Sequence, residues 1–314
     1  MLEPWSRCYY LRGGMNKVSI QNLVKGYSIE TTVREAARVE RFSELIPVGT
    51  RLYIVHVPGT NLQETVALAA RLRKEGLEPV PHIIARRFES VPALDDFLGR
   101  LAGDGVRQVL IVAGDVAKPP GPLESSLQIL ESGLLEKHQI RTIGVAGHPE
   151  GHRGISNDVL RDALRRKNAY ARSTGAHVYI VTQFTFAAEP VIAWENSNAA
   201  DIGHLPIAVG LPGLASAKTL LKFAMDCGVG ASVQAFSKRA ASLTRLLTVS
   251  TPDHTIVGLA RNKESAPQSR VAGVHFFPFG GFQRTAEWAN SIASGHFEIT
   301  ADDGLRVTAT ATMK

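Results

Sequence analysis

The sequence predicts an α/β protein that forms a single (β/α)8 barrel of the TIM-barrel class. Short β-rich runs alternate with amphipathic stretches of ten to eighteen residues, and this alternation can be counted eight times. A length of 314 residues suits one such barrel with some additional elements. Neither a linker nor a low-complexity tract interrupts the chain, which favours one domain over two.

Each predicted strand is a short run rich in aliphatic and β-branched residues, as strands buried on both faces should be. Each is followed by a stretch with helical periodicity. The predicted strands are Leu23–Thr31, Arg51–Val57, Pro79–Ala85, Gln108–Ala113, Thr142–Ala146, His177–Gln183, Pro206–Gly210 and Ala272–Phe277. The predicted helices are Val33–Ile46, Leu62–Glu75, Val91–Ala102, Pro122–Lys137, Ser156–Thr174, Glu189–Ile202, Ser216–Cys227 and Gln283–Ser294.

Three further segments are predicted outside the eight units. Residues 1–22 form an N-terminal extension, the barrel occupies residues 23–294, and residues 295–314 form a short tail or edge element. Ser232–Val249 is predicted as an extra helix between the seventh and eighth units. Ser156 can cap the fifth helix, where Asp158 in the first turn favours the helix dipole.

Composition excludes several classes of protein. The two cysteines, Cys8 and Cys227, are far apart and form no CxxC, which argues against a disulfide scaffold or structural zinc and fits a reducing cytoplasm. No apolar run approaches the roughly 20 residues that cross a bilayer, and the first residues do not resemble a signal peptide. We therefore expect a soluble, cytoplasmic protein without a membrane partner.

The formal net charge of +6 does not indicate nucleic-acid binding. Basic residues occur at helical spacing, as on solvated helix faces, and few aromatic residues lie between them. A modest positive charge equally suits a polyanionic small molecule such as a dinucleotide. Because neither GxGxxG nor GxxxxGK[ST] follows a predicted strand, the sequence supports neither a Rossmann nor a P-loop site.

Candidate chemistry lies at the carboxyl ends of the predicted strands, where (β/α)8 barrels place their active sites. Glu30 lies in the first strand, where burial would raise its pKa and make it a general acid near neutral pH. The alternative is a buried pair with an Arg or His of a neighbouring strand. Gly114 and Asp115 end the fourth strand, where a small residue admits a flat ligand; a turn or cap aspartate is the alternative.

Two more strand ends carry polar groups. In GHPEGH, residues 147–152, Pro149 and the glycines disfavour a helix, so we expect a ligand-contacting loop rather than a metal site; a plain surface turn is the alternative. Gln183 ends the sixth strand, and its amide suits the edge of a heterocycle or, alternatively, the backbone of a loop.

The order of these motifs resembles the methylenetetrahydrofolate reductase family. The matching segments are SIETT at 28–32, PHI at 81–83, AGD at 113–115, HPEGH at 148–152, TQF at 182–184 and GLPGLASAKTLLKFA at 210–224. The family has SFEFF, AH, RGD, YPE-x-H, TQFFF and a G-I-x-P…K…FA segment in the same order. GVHFFPFGG at 273–281 is similar to its closing strand, so the resemblance spans roughly residues 23–294.

The resemblance implies a barrel that holds FAD non-covalently and interconverts 5,10-methylenetetrahydrofolate and 5-methyltetrahydrofolate by hydride transfer. It assigns Glu30 as the general acid and Asp115 as the acid beside flavin and folate. Gln183, with Phe184, would contact the folate. The segments expected to contact the flavin contain His56, His82, Gly114, Asp115, Ala146, His148, Glu150, His152 and Lys167.

Departures from the family pattern leave several alternatives. Ala217 lies where an aromatic residue commonly stacks on the nicotinamide and folate rings, so the electron donor is either NADH or NADPH, or another protein. The physiological reaction is either folate reduction or oxidation of methyltetrahydrofolate in one-carbon catabolism. Competing functions are a metal-dependent barrel hydrolase and a non-catalytic folate- or flavin-binding subunit. A homo-oligomer is also compatible with the sequence.

Overall fold

A computed structural model describes residues 16–57, 59–227, 233 and 249–309 of the chain. Eight parallel strands close into a barrel with helices around it, which confirms the predicted fold class. The strands are, in chain order, β1 Ser28–Thr32, β2 Arg51–Val55, β3 Glu78–Ile84, β4 Gln108–Val112, β5 Thr142–Gly147, β6 His177–Phe184, β7 Ile207–Pro212, β8 Ala215–Ser216, β9 Val249–Ser250, β10 Val271–Phe277, β11 Phe297–Ile299 and β12 Leu305–Val307.

The barrel is formed by β1 to β7 and β10, and β1 pairs with β10 to close it. β8 and β9 form a small antiparallel pair, and β11 and β12 form an antiparallel pair within the predicted tail. The helices are α1 Lys17–Val24, α2 Val33–Ala36, α3 Leu62–Lys74, α4 Val91–Gly103, α5 Ser126–Leu130, α6 Leu134–Lys137, α7 Asn157–Thr174, α8 Ala188–Ser197, α9 Ala199–Ile202, α10 Ala217–Cys227, α11 Asp253–Ser265 and α12 Phe282–Ala293, and Phe42–Glu44 and Ala85–Arg87 are 3₁₀ turns.

The start of the first strand is wrong in the sequence-based prediction. The strand begins at Ser28 rather than Leu23, because Lys17–Val24 is helical. The Asn16 side chain caps this helix by accepting a hydrogen bond from the Val18 amide at 2.9 Å. The buried side chains of the helix join the main core, so its apolar residues belong to a helix face rather than to a strand.

Three predicted helices are shorter or divided. Val33–Ile46 contains only α2 and a 3₁₀ turn, and Pro122–Lys137 contains α5 and α6. Gly133, which has a φ of 74°, separates α5 from α6. Glu189–Ile202 is divided at Asn198 into α8 and α9.

A second helix besides α1 was not predicted, and one predicted helix lies largely outside the described residues. Ser232–Val249 falls outside them except for residue 233 and the β9 residue Val249. Asp253–Ser265 forms α11, which packs against α1 and α8 and lies in sequence between β9 and β10. The Ser156 cap is confirmed, since its side chain accepts a hydrogen bond from the Val159 amide.

The core has an outer part between strands and helices and an inner part inside the barrel. The inner part contains Tyr53, Val80, Leu110, Tyr179 and Val181, all buried. The hydroxyls of Tyr53 and Tyr179 share a 2.7 Å hydrogen bond, which satisfies both groups within this apolar interior. The barrel is therefore filled by side chains rather than open as a channel. Within the described part of the chain, no helix is both long and apolar enough to cross a membrane.

Candidate active site

A carboxyl group and two imidazoles meet inside the barrel. Glu30 on β1 has a side chain only 14% exposed, and its Oε2 lies 3.6 Å from Nε2 of His275 on the neighbouring strand β10. The other ring nitrogen of His275, Nδ1, is 2.9 Å from Ser28 Oγ. His82, which lies on β3, is close enough to Glu30 to influence its titration.

Burial keeps both imidazoles neutral near pH 7 and favours the protonated form of the Glu30 carboxyl up to about the same pH. It raises the pKa of Glu30 to about 7, with a smaller rise from Glu35 and an opposing influence of His82. Burial lowers the pKa of His82 to about 4 and that of His275 to about 3. The sequence left open whether Glu30 forms an ion pair with a neighbouring residue. With both imidazoles neutral, Glu30 has no charged histidine beside it, and its carboxyl group holds a proton below about pH 7.

His275 is a site residue that the sequence analysis missed. It lies in VAGVHFF, an otherwise apolar strand, and its side chain is almost completely buried. A single polar residue in such a strand is the signal that would have identified it. Its position beside Glu30 depends on β10 pairing with β1, which is a consequence of barrel closure.

A first cavity of about 340 Å³ opens at the ends of β2, β3 and β4. It joins two of the residues predicted from the resemblance, His56 and His82, with Arg86 and Arg87, which the sequence placed at a strand end without a role. Three buried nitrogens around this cavity have no hydrogen-bond partner in the described part of the chain: His56 Nδ1, His82 Nε2 and Arg87 Nε. Buried polar atoms are normally paired, so these three indicate a place where a polar ligand binds.

Gly114 packs closely beside this cavity, whereas Asp115 lies at its rim. Gly114 has a φ of 90°, and a Cβ atom there would lie 2.3 Å from Cγ2 of Ile84, which lines the cavity. The side chain of Asp115 is 93% exposed, and its Oδ1 is 3.9 Å from Arg87 Nη2. Asp115 is therefore at the rim, oriented into solvent, rather than enclosed beside the other predicted residues.

Gly114→Ala is expected to destabilise the protein by about 1–3 kcal/mol more than Gly133→Ala, because the added methyl group meets Ile84. Both glycines have positive φ, but a Cβ atom at Gly133 would have nothing within 4 Å. The difference between the two variants thus isolates the steric clash from the backbone strain they share. Urea unfolding measures it; equal losses of unfolding free energy would contradict the close packing at Gly114.

A second cavity, of about 530 Å³, lies outside the end of β5, between α7 and α8. His148 and Glu150 line it, together with Asn157, Arg161 and Trp194. The Thr185 hydroxyl donates a 2.9 Å hydrogen bond to Glu150 Oε1, which fixes the loop against the end of β6.

Lys167 and Ala146 contact each other behind the loop that contains His148. The Lys167 ammonium donates a 3.0 Å hydrogen bond to the Ala146 carbonyl, and burial lowers the pKa of Lys167 to about 8. Burial, with the nearby charges of Lys167 and His152, lowers the pKa of His148 to about 3. The rings of His148 and His152 are 5.1 Å apart, although His152 itself is exposed. Lys167 is not part of the cavity lining, so its ammonium holds the end of β5 in this structure.

Gln183 and Phe184 end β6 next to an aromatic cluster. Phe184 is buried against the rings of Phe277 and Phe279, at centroid distances of 5.7 and 5.1 Å. Phe223 stacks on Phe279 at 4.4 Å. Gln183 is half-buried. The remaining members of the cluster include Ala217, so aromatic surface surrounds the position where the sequence has alanine.

The described residues contain no group of three or more His, Cys, Asp or Glu side chains arranged to hold a metal ion. The hydrolase alternative would use four histidines that the structure does not bring together. His56 and His82 line the first cavity, His148 lines the second, and His152 is exposed on the loop.

Comparisons with known proteins identify the family. An uncharacterized protein from Clostridium thermocellum, which binds two copies of 5-methyl-5,6,7,8-tetrahydrofolic acid, is similar with a TM-score of 0.51 and 14% identity over 85% of this chain and 97% of that chain. A xylose isomerase domain-containing protein from Salmonella typhimurium has a TM-score of 0.46 and 16% identity, over 90% of this chain and 100% of that chain. Residues 30–241, more than half of the chain, match the family model of methylenetetrahydrofolate reductase. The chain therefore belongs to the methylenetetrahydrofolate reductase family.

Proposed function

We propose that the protein is a flavin-dependent enzyme that interconverts 5,10-methylenetetrahydrofolate and 5-methyltetrahydrofolate. The observation that carries the proposal is Glu30, a carboxyl group inside the barrel whose pKa is raised to about 7. A general acid is most effective when its pKa lies near the operating pH. Family membership and the folate-binding structural relative from Clostridium thermocellum support folate as the substrate class.

The residues at the strand ends fit a flavin. The partnerless nitrogens of His56, His82 and Arg87 surround the first cavity, and a ring system bearing carbonyl oxygens and ring nitrogens offers them partners. His56, His82, Gly114 and Asp115 would hold the ring end. The segments that contain Ala146, His148, Glu150, His152 and Lys167 would hold the remainder near the second cavity. When bound, the flavin supplies the hydride-transfer chemistry that side chains lack.

Glu30 would provide the proton that folate reduction requires. The methylene carbon bridges N5 and N10 of the folate and accepts hydride only after its bond to N10 has broken. As the C–N10 bond breaks, its electron pair goes to N10 and the Glu30 carboxyl proton is transferred to the same atom. In the opposite direction, the Glu30 carboxylate takes that proton back as the ring closes. Gln183 and Phe184 would contact the folate from β6.

His275 would help to keep the Glu30 proton in place. His275 is neutral near pH 7 and holds no charge that would draw the proton from Glu30. The Ser28 hydroxyl engages one ring nitrogen of His275, so the other is directed to the Glu30 side. His275 would thus act as a positioning residue.

We expect opposite pH dependences in the two directions. Reduction of methylenetetrahydrofolate needs protonated Glu30, so its kcat/KM should fall about tenfold for each pH unit above 7. Oxidation of methyltetrahydrofolate needs the carboxylate, so its kcat/KM should rise as pH increases towards 7. Parallel profiles, measured with artificial electron donors and acceptors, would contradict the role of Glu30 as the titrating group.

The electrons would come from NADH or NADPH, or from an electron-donor protein. Ala217 removes an aromatic contact to the nicotinamide, but Phe223 and Phe279 lie in the same cluster. Stopped-flow mixing of the FAD-loaded protein with each nucleotide distinguishes the two sources. Rapid loss of flavin absorbance identifies a nicotinamide donor; no loss indicates a protein donor.

FAD binding is the direct test of the proposed cofactor. The purified protein, or the protein after incubation with FAD, should show the visible absorption of bound flavin and quench free FAD fluorescence to a stoichiometric end point. A protein that remains colourless and leaves FAD fluorescence unchanged would overturn the proposal. Metal content measured on the same sample tests the hydrolase alternative.

A further inference from the structure

Arg87 has a buried Nε–H group for which the described part of the chain provides no hydrogen-bond partner. It lies in the 3₁₀ turn after β3, and its side chain is only 20% exposed. Its Nε is buried and has no hydrogen-bond partner among the described residues, and Asp115 Oδ1, at 3.9 Å, is beyond hydrogen-bond distance. Because a guanidinium stays charged at every accessible pH, leaving its Nε–H buried and unpaired is costly.

The neighbouring residue, Arg86, differs from Arg87 because its side chain is hydrogen-bonded to the chain. Arg86 Nε donates a 2.8 Å hydrogen bond to the Glu124 carbonyl, and the Arg86 amide bonds to the Ala113 carbonyl. Arg86 therefore ties the turn to the β4 segment. Arg87 has no equivalent bond to the described residues, so its guanidinium is available to a ligand.

The surroundings of Arg87 favour a negatively charged or carbonyl-rich ligand. Two arginines line the first cavity, and no carboxylate is among its described lining residues. His56, in the same lining, has a pKa that is lowered by burial and by the charge of Arg87. Asp115 offers the nearest negative charge, but it is almost fully exposed and therefore well screened by water.

The first cavity also connects Arg87 to the Glu30 site. His82 lines this cavity and interacts electrostatically with Glu30. A flat ligand that meets Arg87 at one edge therefore extends towards the proton donor. For a flavin, the edge with that chemistry is the pyrimidine ring, whose carbonyl groups carry the negative charge of the reduced form.

We propose that Arg87 is the anion-binding residue of the first cavity, and that it holds the pyrimidine edge of the flavin more tightly in the reduced state than in the oxidised state. This inference rests on the proposed function. A positive charge that binds the reduced flavin more tightly than the oxidised flavin raises the reduction potential, so Arg87 would contribute to the potential of the bound flavin.

The test compares flavin binding and the midpoint potential in Arg87→Met, Arg87→Lys and the wild type. Loss of one charge-assisted hydrogen bond is worth roughly tenfold to a hundredfold in binding. Arg87→Met should therefore lower the ratio of reduced- to oxidised-flavin affinity by at least about tenfold, which for a two-electron couple is about 30 mV. Arg87→Lys keeps the charge and should retain most of the ratio. Arg100→Met, which removes an exposed arginine on α4, is the matched control and should change nothing.

Riboflavin, FMN and FAD separate the two anionic parts of the ligand. If Arg87 holds the pyrimidine edge, Arg87→Met lowers the ratio for all three, including riboflavin, which has no phosphate. A loss of affinity confined to FMN and FAD would overturn the proposal and assign Arg87 to phosphate. An unchanged ratio in a variant that still binds flavin, with a wild-type circular dichroism spectrum, would overturn this inference but leave the proposed function standing. A wild type that binds no flavin would overturn both.

Discussion

Glu30→Gln is expected to lower kcat by about a hundredfold to ten-thousandfold in both directions of the folate reaction. Glutamine has nearly the same size and can occupy the same space beside His275, but it has no carboxyl proton to give to N10 and cannot take one back. Because the change removes proton transfer and not the binding surface, folate and flavin affinities should remain within a few fold of the wild type.

Glu44→Gln is the matched control, since Glu44 is a glutamate with a side chain 65% exposed. It should leave turnover unchanged. Steady-state turnover measured with methylenetetrahydrofolate and with methyltetrahydrofolate gives the comparison. Turnover of Glu30→Gln within threefold of the wild type would eliminate Glu30 as the proton donor.

The same substitution is expected to stabilise the protein at alkaline pH by about 3 kcal/mol. Burial raises the pKa of Glu30 from 4.5 to about 7 in the folded protein. One pKa unit corresponds to about 1.4 kcal/mol, so keeping the ionised carboxylate inside the barrel costs about 3 kcal/mol relative to the unfolded chain. Glutamine is neutral at every pH and avoids this cost.

Because the pKa of Glu30 is raised on folding, the unfolding free energy of the wild type depends on this residue only within a defined range of pH. Below pH 4.5 Glu30 is protonated in both states, and the wild type and Glu30→Gln should have similar unfolding free energies. Between pH 4.5 and about 7 the folded wild type holds a proton that the unfolded chain has released, so its stability falls as pH rises. Urea denaturation at pH 5 and pH 8.5 measures the change, with Glu44→Gln again as control. A pH-independent difference would show that Glu30 is solvated in the folded protein.

The eight barrel strands were predictable from sequence because each is a short apolar run with a clear carboxyl end, although the start of the first was not. The limits of the helices were harder to predict, because they depend on local backbone conformations. Gly133, for example, has a positive φ and divides one predicted helix. Helix α11 contains Thr255, Ile256 and Val257 in succession, and β-branched residues have low intrinsic helix propensity. Its buried side chains form a helix because α1 and α8 pack against it, which no local pattern reveals.

The site was predictable where a motif lies within one strand end. Glu30 was identified because a carboxylate in an apolar strand implies burial. His275 was missed, and Arg87 was placed at a strand end without a role, because their importance comes from neighbours far apart in sequence. For His275 the neighbour is set by the closure of β10 on β1, and for Arg87 by the cavity shared by β2, β3 and β4. The outward orientation of Asp115 was likewise not encoded in AGD, since the loop conformation after β4 determines it.

Anaerobic addition of 5-methyltetrahydrofolate to the FAD-loaded protein tests the central claim most directly. If the barrel brings flavin and folate together, the visible flavin absorption decreases as the methyl group is oxidised, and methylenetetrahydrofolate appears in equal amount. If the absorption is unchanged at saturating methyltetrahydrofolate, while the protein demonstrably holds both molecules, the protein is a binding subunit and not the proposed oxidoreductase.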